Sequence, residues 1–233
     1  MTVAALYDVH GNLPALDAVL SEVDADLILV GGDFVAGPWP AETLERLRAL
    51  GDRARFIRGN ADREVVEPSA EVRAGGPPAG LMEFVRERLS PEQIEFLAAL
   101  PLRETIPVDG RGDVLFCHAT PRSDDELLTR ISSEERWLAA LEGVEANVVV
   151  CGHTHVQFDR TVGDYRVVNA GSVGMPYETE PGAYWLLAGP EVELRRTPCE
   201  VPDISATGWP EEWPSATPEE ATEFFERISR ERA

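Results

Sequence analysis

Short apolar runs recur along this chain, and the residues able to bind a metal ion stand directly behind them. The four histidines of the 233 residues fall in Asp8-Val9-His10, Phe116-Cys117-His118 and Gly152-His153-Thr154-His155. Gly32-Asp33 and Gly59-Asn60-Ala61-Asp62 lie between the first two of these. Each follows a strand-like stretch, so the fold has to gather several strand ends. The first half alternates strands at 3–7, 27–30 and 54–57 with helices at 13–23 and 41–50. Pro14 suits the first turn of its helix. Such alternation predicts a sheet with crossover helices, whose ligands collect where strands end. Residues 64–80, rich in proline, glycine and glutamate, read as a surface loop before helices at 81–89 and 91–100. Strands then follow at 102–108, 113–117, 147–151, 156–162, 165–168, 183–187 and 192–196, with helical patterns at 123–129 and 133–141. Two sheets with helices outside accommodate this order.

The chain carries 42 acidic and 21 basic residues, a formal charge of −21, and every basic side chain is arginine. Without lysine there is no phosphate-loop Gly-Lys-Ser/Thr and no Schiff base. The acidic balance argues against nucleic-acid polymers and membranes as partners, because both are met by basic patches. Cys117 and Cys151 sit in apolar runs as small hydrophobes; with Cys199 they fit no disulfide framework. No apolar run approaches membrane-spanning length and the first residues do not read as a signal peptide, so the expected compartment is a reducing cytoplasm.

Composition shifts near residue 200, which divides the chain into a domain at 1–200 and an acidic tail at 201–233 containing Trp209, Trp213 and four prolines. Thr217-Pro218-Glu219-Glu220 is a capping-box start for a helix over about 218–230, with Ala221, Phe224, Phe225 and Ile228 as one apolar stripe. The stripe predicts a helix docked on its own domain, with a homodimer contact as the alternative.

Two divalent ions held close together need hard or borderline ligands from several strand ends, including one shared carboxylate. Asp8-x-His10 puts two side chains on one face of an extended segment, and His153-x-His155 repeats that arrangement. Gly32, Gly59 and Gly152 let the backbone turn beside a crowded site. Asn60 supplies a neutral oxygen, which limits the negative charge met by an anionic substrate.

In this order the motifs resemble those of the calcineurin-like metallophosphoesterase superfamily, from residue 3 to about residue 197. The stretches 8–16, 33–40 and 169–174 are similar to a bacterial branch of predicted phosphodiesterases and relatives of dinucleoside-tetraphosphate phosphatases. The resemblance implies an α/β fold, a four-layer α-β-β-α sandwich of two packed mixed β-sheets flanked by helices, with the metal site at the strand C-terminal ends. It also implies that Asp8, His10 and His155 hold one divalent ion, that Asn60, His118 and His153 hold another, and that Asp33 bridges them. Manganese is the first expectation, with iron, zinc, nickel or cobalt as alternatives. The two ions would share a water made acidic enough to attack phosphorus in line.

The implied activity is hydrolysis of a P–O bond, phosphodiester or phosphoanhydride, in a small nucleotide-like metabolite. Alternatives are a phosphomonoesterase or protein phosphatase of the same fold, or a non-catalytic metal-binding scaffold, as in the retromer subunit. Many relatives read Gly-Asn-His-Asp/Glu, with that histidine proposed to protonate the leaving group; here Ala61 takes its place, and no histidine is spare. Catalytic candidates beside Asn60 are Asp62, which orients a ligand histidine or is a turn carboxylate, and Arg63. Substrate-binding candidates are Arg58, a phosphate clamp or a surface arginine; Asn12, a phosphate donor or a helix cap; Ser172; and Tyr177. Tyr177 ends Met175-Pro176-Tyr177, where relatives often carry Gln-Pro-Arg, and either stacks on a flat ligand or packs its loop.

Overall fold

The computed structural model describes residues 1–74 and 79–232. Its first sheet contains β1 (Val3–Leu6), β2 (Leu27–Val30), β3 (Ala54–Phe56), β9 (Ala183–Ala188) and β10 (Val192–Thr197), in the order β10-β9-β1-β2-β3. The second contains β4 (Arg103–Val108), β5 (Gly112–Cys117), β6 (Val148–Cys151), β7 (Phe158–Val162) and β8 (Tyr165–Asn169), in the order β4-β5-β6-β8-β7. β1, β2 and β3 run parallel, as do β5, β6 and β8, and antiparallel strands complete both sheets.

Period-two alternation assigns each strand's side chains to two cores. Val3 and Ala5 of β1 point between the sheets, where they meet Val114, Phe116, Val150 and Val168. Ala4 and Leu6 point outward against Leu16 and Val19 of α1 (Leu13–Glu22) and Leu44 and Leu47 of α2 (Pro40–Arg48). α5 (Ala79–Arg88) and α6 (Pro91–Ala98) extend that outer layer through Val85 and Leu97. On the far face of the second sheet, Trp137 of α7 (Glu134–Ala140) packs with Leu115, Val149 and Val167. The result is the expected four-layer α-β-β-α sandwich.

Three readings of the sequence are corrected. The stretch 64–80 is not all loop: α3 (Asn60–Val66) and α4 (Ala70–Arg73) occupy part of it, while 75–78 lie outside the described residues. The pattern at 123–129 is not helical, because Thr120 and Ser123 pair as an isolated bridge and the Ser123 hydroxyl accepts the Asp125 N–H at 3.1 Å, a local turn that competes with helix. The final helix, α8 (Pro218–Glu231), has its capping box, but its buried face is Pro218, Ala221, Thr222 and Glu226, while Phe224 is 49% exposed. No described helix is long and apolar enough to cross a membrane.

Candidate metal centre

Five parallel strands end at the same edge of the sandwich and deliver the candidate ligands there: Asp8 and His10 beyond β1, Asp33 beyond β2, Asn60 beyond β3, His118 beyond β5, and His153 and His155 beyond β6. Potential ligand atoms of Asp8, His10 and His155 lie within 4.8 Å of one another, and so do those of Asp33, His118 and His153. Asp8 Oδ1 lies 3.2 Å from His155 Nε2 and 3.8 Å from both His10 Nε2 and His118 Nε2, which places it between the two groups. The non-glycine residues with positive φ among those described are Asp8, His10, Asp33, His153 and His155, and all five are in these groups. A left-handed backbone costs such residues about 1–3 kcal/mol each, and such strain concentrates at functional sites.

Most of the groups that converge on the site are acceptors. His10 Nδ1 faces the Ala36 carbonyl at 3.1 Å, His118 Nδ1 the Gly31 carbonyl at 2.9 Å, and His155 Nδ1 the Met175 carbonyl at 2.7 Å. A carbonyl only accepts, so each Nδ1 carries a proton, and the Nε2 of a neutral ring turns a lone pair inward; His118, beside Asp33 and Asp8, is the ring that can present an Nε2 proton instead. His10 Nε2 and His155 Nε2 are then 3.1 Å apart. The Asn60 oxygen lies 3.2 Å from His118 Nε2, 3.0 Å from His153 Nδ1 and 3.3 Å from Asp33 Oδ2. Asp8 Oδ1 and His153 Nε2 are buried without a hydrogen-bond partner. Such a cluster of facing lone pairs is destabilising unless a cation occupies its centre, so the donor set fits divalent ions.

The electrostatics agree. Burial alone would lower His118, but the Asp33 and Asp8 carboxylates hold it up to about 10. Burial, reinforced by His118, pushes His153 down to about 3. The two carboxylates thus demand positive charge that one histidine can meet only in part.

Glycines make the crowding possible. A Cβ on Gly59 would stand 2.0 Å from Asp33 Oδ1, and one on Gly32, at φ 95°, would stand 2.6 Å from His118 Nδ1.

The remaining candidates separate clearly. Asp62 orients no histidine; its carboxylate accepts from the N–H groups of Asp33 at 2.7 Å, Gly59 at 3.0 Å and Phe34 at 3.2 Å, and so fixes the loop bearing Asp33. Burial and the Asp33 charge push Asp62 up to about 7. Arg58 and Arg63 both donate through Nε to Asp124, at 3.2 and 3.0 Å. Asn12 caps α1 through Ala15 N–H at 3.1 Å and donates to the Gly174 carbonyl at 2.9 Å. The buried Ser172 hydroxyl donates to the Asp8 carbonyl at 2.7 Å and accepts from Met175 N–H at 2.7 Å, which ties the loop bearing Asp8 to the segment at 172–175. Tyr177 stacks on the His155 ring, centroids 5.1 Å apart and planes 17° apart.

Sequence reasoning missed Asp124, which anchors the two arginines, and Asn169, whose amide donates to the Gly152 carbonyl at 2.6 Å and to the Thr154 hydroxyl at 3.1 Å. Asn169 was legible only as part of its turn motif; Asp124 had no local signal.

An α-β-β-α sandwich with two candidate metal-binding groups at its strand ends has the architecture of a metal-dependent phosphoesterase. Residues 1–189 match the calcineurin-like phosphoesterase superfamily domain, and the chain belongs to that superfamily. Among curated relatives, a symmetrical bis(5'-nucleosyl)-tetraphosphatase of Klebsiella pneumoniae (strain 342) is 30% identical over 133 residues, covering 54% of this chain and 46% of that protein. The chain thus spans about half the length of the curated relatives it matches. A metallophosphoesterase of Sphaerobacter thermophilus superimposes with a TM-score of 0.73 at 25% identity, covering 91% of this chain and 95% of that one. A hypothetical protein of Pyrococcus horikoshii OT3 shares the fold with a TM-score of 0.78 at 21% identity, covering 96% and 97%.

Proposed function

We propose that the chain hydrolyses a phosphodiester or phosphoanhydride bond in a small, nucleotide-like metabolite. In this reading Asp8, His10 and His155 hold one divalent ion, Asn60, His118 and His153 hold a second, and Asp33 is shared. The reading is carried by the convergence of lone pairs on residues held in left-handed backbone. Bound there, divalent ions supply Lewis acidity towards phosphoryl oxygens and lower the pKa of water. Manganese is the first ion to test, then iron, zinc, nickel and cobalt, since such ligand sets accept several.

The chain's own residues set the selectivity. Arg58 and Arg63 flank Asn60 and are held by Asp124 through Nε, which leaves the terminal guanidinium N–H groups of Arg58 and Nη2 of Arg63, whose Nη1 faces Glu64 at 3.5 Å, for phosphate oxygens. Ala61 offers no acid to the leaving oxygen, and Asp62 faces backbone N–H groups with both carboxylate oxygens. A general acid is worth about 10²–10⁴-fold, so leaving groups that depart unprotonated are preferred. Phosphoanhydrides and aryl esters meet that condition and simple alkyl phosphates do not. The likeness to symmetrical bis(5'-nucleosyl)-tetraphosphatases points to the same bond class.

The test is hydrolysis of bis-p-nitrophenyl phosphate by metal-stripped protein reloaded with manganese, beside Asp33→Asn and an alkyl phosphodiester. We expect ion-dependent turnover, reduced about 10²-fold or more by Asp33→Asn, the scale of losing one charge-stabilising group. The alkyl diester should be turned over far more slowly. Two ions bound without turnover under manganese, nickel, cobalt or iron would instead assign a non-catalytic scaffold.

A further inference from the structure

The last candidate residue, Tyr177, leads away from the substrate and into the tail. We propose that Tyr177 and Phe225 are positioning residues for His155, so that the C-terminal helix α8 is a working part of the metal centre. This rests on the metal-site reading above and adds an element that the superfamily match, which ends at residue 189, does not cover.

His155 has three attachments to one short segment. Its Nδ1 meets the Met175 carbonyl at 2.7 Å, its own carbonyl accepts the Tyr177 N–H at 3.2 Å, and its ring lies under the Tyr177 ring. That restraint has work to oppose. His155 stands at φ 56°, and its Nε2 is 3.1 Å from His10 Nε2, an arrangement in which two lone pairs repel until an ion enters. The hydrogen bond fixes the tautomer, and the stacked ring limits the imidazole's rotation about that bond. At the place where the resembled pattern carries arginine, this chain has an aromatic ring, which suits stacking on imidazole.

Tyr177 is backed in turn by Phe225 of α8, with centroids 6.2 Å apart and planes inclined at 48°. The rotation of α8 that aims Phe225 there is set by a polar key. Glu226, with a side chain 7% exposed, accepts from the Thr129 hydroxyl at 2.7 Å, from Ser132, and from Arg136 Nη1 at 3.0 Å. Ser229, one turn on, donates to the Leu127 carbonyl at 3.0 Å. With Glu226 locked inward, Phe225 meets Tyr177 and Phe224 is left at the surface. A helix held only by a greasy stripe would lack this rotational definition.

The experiment is a manganese titration of the full-length, metal-stripped protein by calorimetry, comparing wild type with Phe225→Ala, Phe225→Tyr, Tyr177→Ala and Glu226→Ala. The readout is the affinity of each of two binding events. Second-layer partners of metal ligands are typically worth 10–100-fold in metal affinity, so Phe225→Ala and Tyr177→Ala should weaken one event by about 10-fold or more and leave the other within about 2-fold. Phe225→Tyr should restore it, and Glu226→Ala should mimic Phe225→Ala. Wild-type affinities in both Tyr177→Ala and Phe225→Ala would overturn the inference, and so would equal weakening of both events alongside a general loss of thermal stability. A wild type that binds no ion would sink the metal-site reading itself, a result distinct from either.

Discussion

Asp62 is only 1% exposed and holds the loop that presents Asp33. Its two oxygens answer backbone N–H groups from both sides of the site, Asp33 and Phe34 on one and Gly59 on the other. Because burial and the Asp33 charge raise Asp62 to about 7, the folded state keeps a proton that the unfolded chain releases at about pH 4, and stability falls as pH rises through that interval. Asp62→Asn keeps the shape and cannot titrate, so it should flatten that fall in urea titrations of metal-free protein. An unchanged pH slope would mean that Asp62 does not contribute to it. The sequence reading offered Asp62 as either a histidine orienter or such a turn residue. The turn reading covers the bond from Gly59, three residues back, but not those from Asp33 and Phe34, which lie 29 and 28 residues away.

At the scale of elements, α8 illustrates a helix whose docking chemistry is charged. Burial alone would raise the Glu226 carboxyl, but the hydrogen bonds from Ser132 and Thr129 and the Arg136 charge hold it below the ordinary carboxylate range. A group that gives up its proton more readily when folded contributes stability in full above its unfolded pKa, about 4.3 for Glu. That contribution is lost as pH falls through the ordinary range towards the lowered folded value. Amide exchange in α8 should therefore accelerate relative to β5 and β6 between about pH 5 and 3, and Glu226→Gln should flatten the difference. Equal acceleration of helix and strands would refute the key. The same residue explains a limit of the sequence. The strands and α1, α2, α5, α6 and α7 were legible because period and caps are local signals, whereas the face α8 buries depends on Thr129, Ser132 and Arg136, some ninety residues earlier. The candidate ligands were legible for the opposite reason, since chemistry restricts which residue types can follow a strand at such a site.

Across the whole molecule, each candidate ion site draws on both sheets. Asp8 and His10 follow β1 in the first sheet and meet His155 beyond β6 in the second; Asp33 and Asn60 follow β2 and β3 and meet His118 and His153 beyond β5 and β6. Direct links between the sheets already cluster at this edge: the Tyr7 hydroxyl donates to the Val150 carbonyl at 3.0 Å, and His153 N–H donates to Asp8 Oδ2 at 2.8 Å. Without ions, the same edge concentrates facing lone pairs and five strained backbones, so it is the weak end of an otherwise well-packed inter-sheet core. Each ion bound only by the folded state stabilises it by about 2.7 kcal/mol at a hundredfold excess over its Kd. For a chain of this size each such ion corresponds to a melting temperature higher by roughly 5–10 °C than in chelator. The gain should also be local, because the ions act as staples between sheets. Hydrogen exchange should slow most at the amides of residues 152–155 and 173–174 and least in α1 and α2, which lie behind the first sheet. A melting temperature indifferent to ion concentration, or protection gained evenly over the molecule, would show that the two sheets are not joined through these sites.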